Sequence, residues 1–311
     1  MTTSGVEVWR GGVKSEQIDE MGHLNIRFYV AIASEGLIGF AQALGLSEAF
    51  RPGANATLII REHHIRFLRE ARVRAPLHMT ASIVELGETT ARVLFVLWHS
   101  LTGEPAATFN TVVEHVTAKQ GRAFPWTSAA RARAGDLMGD LAPFAAPKSV
   151  PVGAVQSQAS VARADALAMT PIARGAFKGS DCDVFGRMNA DLFMGHIVSG
   201  IPQMGGGFRE TVIEHTDPKP SRVGNAALEY RLIYLDWPRA GDLYVMRSGS
   251  LAIDAKGMNV IHWMLDPVTG KPWGSCQAYI VTFDLDKRKI MPVPPAAKVV
   301  LDQRLAVGVS L

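Results

Sequence analysis

Arg10-Gly11-Gly12-Val13-Lys14, followed by Asp19, Gly22, Asn25 and Gly36, returns 164 residues later as Arg174-Gly175-Ala176-Phe177-Lys178, Asp183, Gly186, Asn189 and Gly200. Farther along, Glu62, Leu68, Arg72 and the turn Thr102-Gly103-Glu104-Pro105 reappear as Glu229, Leu235, Arg239 and Thr269-Gly270-Lys271-Pro272, at an offset of 167. Three residues were therefore gained between two blocks of one duplicated domain, because a period this long exceeds that of solenoid repeats. The shared residues mostly shape the backbone or carry charge. The repeated Asp-x-x-Gly-x-x-Asn is thus the first place to look for chemistry.

At 311 residues and 48% apolar, the chain can build two domains of ordinary size, each burying its own core. The opening Met1-Thr2-Thr3-Ser4-Gly5 lacks the basic start and apolar run of a secretory leader. The longest apolar stretch, residues 93–98, is far short of the roughly 20 residues that cross a bilayer. Cys182 and Cys276 are too few for a disulfide framework and lack metal-ligand spacing. A net charge of +3 favours no particular partner. These features lead us to expect a cytoplasmic protein with no metal, no nucleic-acid partner and no membrane partner.

Each repeat reads as a short strand, a turn, one helix and a run of four longer strands. In the first, residues 6–14 form the short strand, and Asn25 to about Leu44 has the length of a buried helix closed by Gly45. Strands follow at 58–68, 77–86, 91–101 and 106–117. The second repeat places strands at 171–178, 226–235, 243–253, 259–265 and 273–285, with a helix from Asn189 that Pro202 and Gly205-Gly206-Gly207 should kink or stop. This order implies the α+β class. The expected boundaries are a first domain at 1–120, a linker with one candidate helix (128–141) at 121–169, and a second domain at 170–311. Either unit alone would leave sheet edges unpaired, which duplication can remedy by joining two units within one chain.

Ile18-Asp19-Glu20-Met21-Gly22-His23-Leu24-Asn25, followed by Phe28-Tyr29 and Glu35, resembles the signature of hotdog-fold acyl-CoA thioesterases of the 4-hydroxybenzoyl-CoA thioesterase type. Ser180-Asp181-Cys182-Asp183-Val184-Phe185-Gly186 resembles the same place in another branch of that family. Tyr234-Leu235-Asp236-Trp237-Pro238-Arg239-Ala240-Gly241-Asp242 is similar to a strand end of the family in which Gly-Asp precedes the next strand. The resemblance spans both repeats and implies a double hotdog. It also implies Asp19 and Asp183 as base or nucleophile, acting on an acyl-CoA whose coenzyme A is part of the substrate, so that no cofactor is needed.

Thioester hydrolysis requires an activated water or nucleophile, a carboxylate, and donors for the developing oxyanion. Asp19 lies six residues before Asn25, the expected helix cap, a spacing that can fold the carboxylate over the helix start. Gly22 and Gly186 permit a tight turn and close approach of substrate. Capping and catalysis remain open for each aspartate. His23 could orient the thioester or be merely solvated, and its counterpart is Arg187. Tyr29 could line the acyl pocket or be core, and its counterpart is Phe193. Asn25 and Asn189 read as caps beside the substrate. Of the arginines between 61 and 74, only Arg72 has an arginine counterpart, Arg239, which makes these two the candidates for coenzyme A phosphates. The departures in the second repeat point to the first as the principal site. A hydratase or dehydratase of enoyl-CoA and a non-catalytic acyl-CoA-binding module are the alternatives, and a homo-oligomer of the two-domain chain stays open.

Overall fold

The computed structural model describes residues 5–155, 157–204 and 207–311. The elements run in chain order: β1 (Val6–Gly12), α1 (Ile26–Ala43), β2 (Ala56–Phe67), β3 (Pro76–Leu86), β4 (Thr90–His99), β5 (Pro105–Thr117), α2 (Ser128–Asp136), α3 (Val161–Ala166) and β6 (Thr170–Ala176). They continue with α4 (Asp191–Gly200), α5 (Phe208–Glu214), β7 (Val223–Tyr234), β8 (Leu243–Ile253), β9 (Gly257–Leu265), β10 (Pro272–Asp284), β11 (Lys289–Ile290) and α6 (Pro295–Asp302). The α+β order read from the sequence is therefore present, with strand ends within three residues of the expected positions. No helix among the described residues is long and apolar enough to cross a membrane.

Two compact units are formed, residues 1–147 with 178–195, and residues 148–177 with 196–311. Within the first, antiparallel strands lie in the order β1-β3-β4-β5-β2. Within the second, the order is β7-β10-β9-β8-β6, and β11 pairs with β10. In the first unit α1 packs against β1 and β3. It presents Tyr29, Val30, Ala33, Leu37 and Phe40 as one buried stripe. Phe40 meets Phe95 edge to face at 5.9 Å, and Tyr29 meets Phe67 likewise at 5.1 Å. The approach is close enough that a Cβ on Gly39 would overlap the Val8 carbonyl oxygen.

The duplication extends beyond the shared residues. The Trp126 amide donates to Glu88 O, and the Val293 amide to Ala255 O, at the same offset of 167. Parallel bridges Ile83↔Met138 and Ser250↔Leu305 repeat at that offset as well. Helix α2 is thus the counterpart of α6, although the two share almost no side chains. The rest of the intervening segment is packed. Leu141, Ala142, Phe144 and Ala145 cover Leu94 and Val96, while Arg66 donates to the carbonyls of Phe144 and Ala146. In the second unit, buried Glu229 accepts the amides of Lys148 and Ser149 at 3.0 and 2.7 Å, and Arg231 donates to the carbonyls of Pro151 and Gly153. Glu229 therefore anchors the connecting segment. The expected stop in the second helix is present: α4 ends at Gly200, and a 3₁₀ turn follows over Ile201–Met204. Gly205 and Gly206 lie outside the described residues.

Two histidines are buried in the sheets. His63 stands 2.8 Å from the Thr111 hydroxyl and His262 stands 2.6 Å from that of Ser248; burial pushes their pKa values down to about 3 and about 4. Each folded-state ring therefore stays neutral at a pH where the unfolded chain's histidine binds a proton, so stability falls as pH drops below about 6.5. Replacing His262 with phenylalanine, the residue of its counterpart Phe95, should remove about 2 kcal/mol of the stability lost between pH 7 and pH 5. Urea unfolding of both proteins at the two pH values measures this, and equal losses would show that His262 titrates normally.

Candidate functional site

The Asp-x-x-Gly-x-x-Asn segments form the same turn twice. Asp19 N donates to His23 O at 2.8 Å and Gly22 N to Asp19 O at 3.0 Å. In the second copy, Asp183 N donates to Arg187 O at 2.7 Å and Gly186 N to Asp183 O at 2.9 Å. Gly22 and Gly186 take φ of 79° and 77°, a left-handed conformation that side chains resist. One carboxylate oxygen ties each turn together. Asp19 Oδ1 accepts the amides of Met21 and His23 at 2.9 and 3.0 Å, and Asp183 Oδ1 accepts those of Phe185 and Arg187 at 2.8 and 2.9 Å. Capping is therefore real for one oxygen of both aspartates, but what they cap is the turn. Asn25 caps α1 as expected, its side chain accepting the Arg27 amide at 3.0 Å.

The second carboxylate oxygens differ. Asp19 Oδ2 has no hydrogen-bond partner among the described residues. Asp183 Oδ2 is held at 3.2 Å by Nε of Arg187, whose side chain is only 7% exposed. His23, at the position of Arg187, turns away from its aspartate and puts Nε2 3.2 Å from Glu70 Oε2. Sequence reasoning missed Glu70, because its counterpart is Trp237 and shared residues were the only signal sought. Arg187 pairs with its own Asp183, and its guanidinium lies 4.9 Å from the ring of Phe185.

Around Asp19 the structure gathers His23, Tyr29, Glu70 and Arg72. Tyr29 is 4% exposed, and burial raises its pKa most, with the carboxylates of Glu70 and Asp19 adding to the shift and a hydrogen bond with the Ala71 backbone opposing it. Its hydroxyl therefore stays protonated. Arg72 bridges His23 through the backbone, and its exposed side chain forms no ion pair among the described residues. At the first position of α1, the Ile26 amide has no acceptor among the described residues, as expected of a helix start. Arg61, Arg66 and Arg69 are taken up by Glu114, two backbone carbonyls and Glu104.

The turn of the second repeat belongs to the same compact unit as that of the first. Arg27 Nε meets Asp191 Oδ2 at 2.8 Å, and these two residues occupy equivalent positions, 164 apart. Two identical copies would set like against like at such a contact, so the pair is available only after duplication. Asn189 accepts the Leu192 amide through its carbonyl and α4 begins at Asp191, two residues later than expected. Phe193, opposite Tyr29 in the alignment of repeats, is buried and carries no hydroxyl. Arg239 lies in the second unit, exposed, its amide donating to Asp242 Oδ2 at 2.7 Å. Cys182 Sγ donates to Lys178 O, and among the described residues no group of three or more His, Cys, Asp or Glu is placed to hold a metal ion.

The model of the thioesterase-like superfamily matches residues 13–134 and again residues 178–301. The chain belongs to the thioesterase-like superfamily. Both matches begin beside a motif turn and end in or near α2 and α6, the limits that the repeated hydrogen bonds set independently. A search of curated proteins finds no match. Among solved structures, the chain is similar to a protein of Lactobacillus plantarum assigned as an oleoyl thioesterase, with 11% identity, 89% of this chain and 96% of the other covered, and a TM-score of 0.66. It is also similar to the 12:0-ACP thioesterase of Umbellularia californica (12% identity, 88% and 92% covered, TM-score 0.62). An acyl-ACP thioesterase of Bacteroides thetaiotaomicron follows (12% identity, 88% and 96% covered, TM-score 0.57). At such identities the likeness is one of fold. Together with the doubled family match, it makes the architecture a double hotdog.

Reversing Arg27 to aspartate should destabilise the protein by about 1 kcal/mol, since the pair is partly exposed, and Asp191→Arg in the same chain should restore most of that loss. A double-mutant cycle read by urea unfolding tests the coupling. Strict additivity of the two changes would show that the pair contributes nothing.

Proposed function

We propose that this superfamily member hydrolyses an acyl-CoA thioester at the turn of the first repeat, with Asp19 as general base or nucleophile. One observation carries the reading: Asp19 has a carboxylate oxygen with no partner among the described residues, whereas both oxygens of Asp183 are engaged. The bonds to Oδ1 fix the carboxylate rigidly, so Oδ2 can meet a water or a thioester carbon without first breaking a protein contact. Water adds its oxygen to the carbonyl carbon and gives a proton to Asp19, the thiolate of coenzyme A leaves, and the free acid remains. In the nucleophilic variant Oδ2 forms an anhydride that water then opens.

The carbonyl oxygen, as it becomes anionic, is placed at the start of α1, where the Ile26 amide and the positive end of the helix dipole favour negative charge. Tyr29, buried on α1 and protonated, would position the acyl group, as would Gly22 and Asn25 through the shape of the turn. His23, held by Glu70, is a candidate donor to the thioester. Arg72, exposed beside the turn and without an ion pair among the described residues, supports coenzyme A as carrier, because its guanidinium is open to a phosphate. Asp183, Gly186 and Asn189 are assigned to structure, and Arg239 to a secondary phosphate contact at most. No cofactor takes part.

The test is release of free thiol from coenzyme A thioesters of acetyl, octanoyl, oleoyl and 4-hydroxybenzoyl groups, with dodecanoyl acyl carrier protein as a further arm. Asp19→Asn should lower kcat by about 10²–10⁴-fold on whichever substrate is used, and Asp183→Asn should leave kcat near that of the wild type. Wild-type turnover by Asp19→Asn would end the proposal, and turnover of the carrier protein thioester alone would replace coenzyme A as the carrier.

A further inference from the structure

The turn that leads into β3 is built by the same bonds as its counterpart before β8. In the first repeat the Ala75 amide donates to Arg72 O, the Arg74 amide to Val13 O and the Val13 amide to Ala75 O. In the second, the Asp242 amide donates to Arg239 O, that of Gly241 to Phe177 O and that of Phe177 to Asp242 O. The third residue of the turn is left-handed in both, with φ of 65° at Arg74 and 95° at Gly241. Side chains resist that conformation, and a Cβ on Gly241 would meet no neighbour, so the backbone alone is what favours glycine there. Arg288 also stands at positive φ, opposite Gly121 of the first repeat, so strain by itself does not single out Arg74.

The neighbouring position does. Asp242 Oδ2 accepts the Arg239 amide at 2.7 Å and ties the second turn through its side chain, whereas its counterpart is Ala75. The first repeat thus lacks both residues that suit the turn, and the two exchanges add one positive charge and remove one negative. Lys14 directly follows Val13, the partner of this turn. Lys14, Arg72 and Arg74 are all exposed and form no ion pair among the described residues. Among the acids of neighbouring segments, Glu104 holds Arg69 at 2.7 Å, Glu70 meets His23 at 3.2 Å and Glu16 accepts the Ser15 hydroxyl at 3.4 Å. Arg72 bridges His23 through the backbone, so these cations flank the turn that carries Asp19. Two guanidinium groups and an ammonium on one exposed turn match phosphate oxygens. Coenzyme A carries its phosphates at the nucleotide end, across the pantetheine arm from the thioester, and needs such a contact beside the reacting turn rather than within it.

We infer that Arg74, with Arg72 and Lys14, forms a site for the phosphates at the nucleotide end of coenzyme A, and that Arg74 sets the preference for this carrier. The assignment rests on coenzyme A as the carrier in the proposed reaction, and it gives the exchanges at positions 74 and 75 a ligand.

Calorimetric titration of the full chain with free coenzyme A and with pantetheine tests this without turnover. Coenzyme A should bind saturably, and pantetheine about tenfold more weakly or worse. Arg74→Gly and Ala75→Asp restore the residues of the second repeat, and each should weaken coenzyme A by about tenfold while leaving pantetheine unchanged. Thermal melting checks that both variants fold, and the melting temperature of Arg74→Gly should hold or rise because a left-handed side chain is removed. Coenzyme A binding that neither substitution weakens, or that pantetheine equals, would overturn the inference. Slower thiol release from dodecanoyl acyl carrier protein in both variants, with coenzyme A binding unchanged, would also overturn it and place an acidic protein on this turn. Should the Asp19 chemistry fail instead, coenzyme A affinity and its loss in the two variants would persist, so the two failures are told apart.

Discussion

One carboxylate oxygen accepting two backbone amides, at Asp19 and again at Asp183, is the constraint on which the site depends. The turn must reverse within four residues, which needs a left-handed glycine and leaves amides pointing inward without strand partners. An aspartate at its start is short enough to satisfy both amides from one oxygen. The next link is Asn25, whose amide donates to Gln17 O while its side chain caps α1. The turn therefore sets where the helix begins, and the helix in turn decides which residues reach the core beneath it. In the second repeat the Asn189 amide likewise donates to Asp181 O, and its carbonyl accepts the Leu192 amide.

Because the turn satisfies itself through Oδ1, the fate of Oδ2 is left to its neighbours. Glu70 draws His23 away in the first repeat. In the second, the counterpart Arg187 closes on Asp183. Two exchanges between the repeats, His23 for Arg187 and Glu70 for Trp237, accompany the difference between a carboxylate oxygen with no partner among the described residues and one held by a guanidinium. The Arg27–Asp191 pair follows the same logic, since duplication frees equivalent positions to diverge in charge.

Much of this was legible in the sequence where backbone geometry demands particular residues. Gly22, Gly186, Asn25 and the two aspartates are shared because the turn tolerates little else, and the strands announced themselves by their apolar runs. The equivalence of α2 and α6 was not legible, since it resides in backbone bonds such as Trp126 to Glu88 and Val293 to Ala255 that constrain no side chain. Glu70 was hidden for the opposite reason: it matters because its counterpart differs, and a search for identities passes over differences. The packing of the connecting segment depends on Glu229, Arg66 and Arg231, all remote in sequence from the groups they hold.

The most direct measurement is made on His23→Arg, which imports the guanidinium of the second repeat into the first turn. If an accessible Asp19 oxygen is what the proposed reaction uses, thiol release should collapse while the melting temperature holds or rises. Wild-type turnover in that variant, with a structure displaying the introduced guanidinium locked onto Asp19, would contradict the claim.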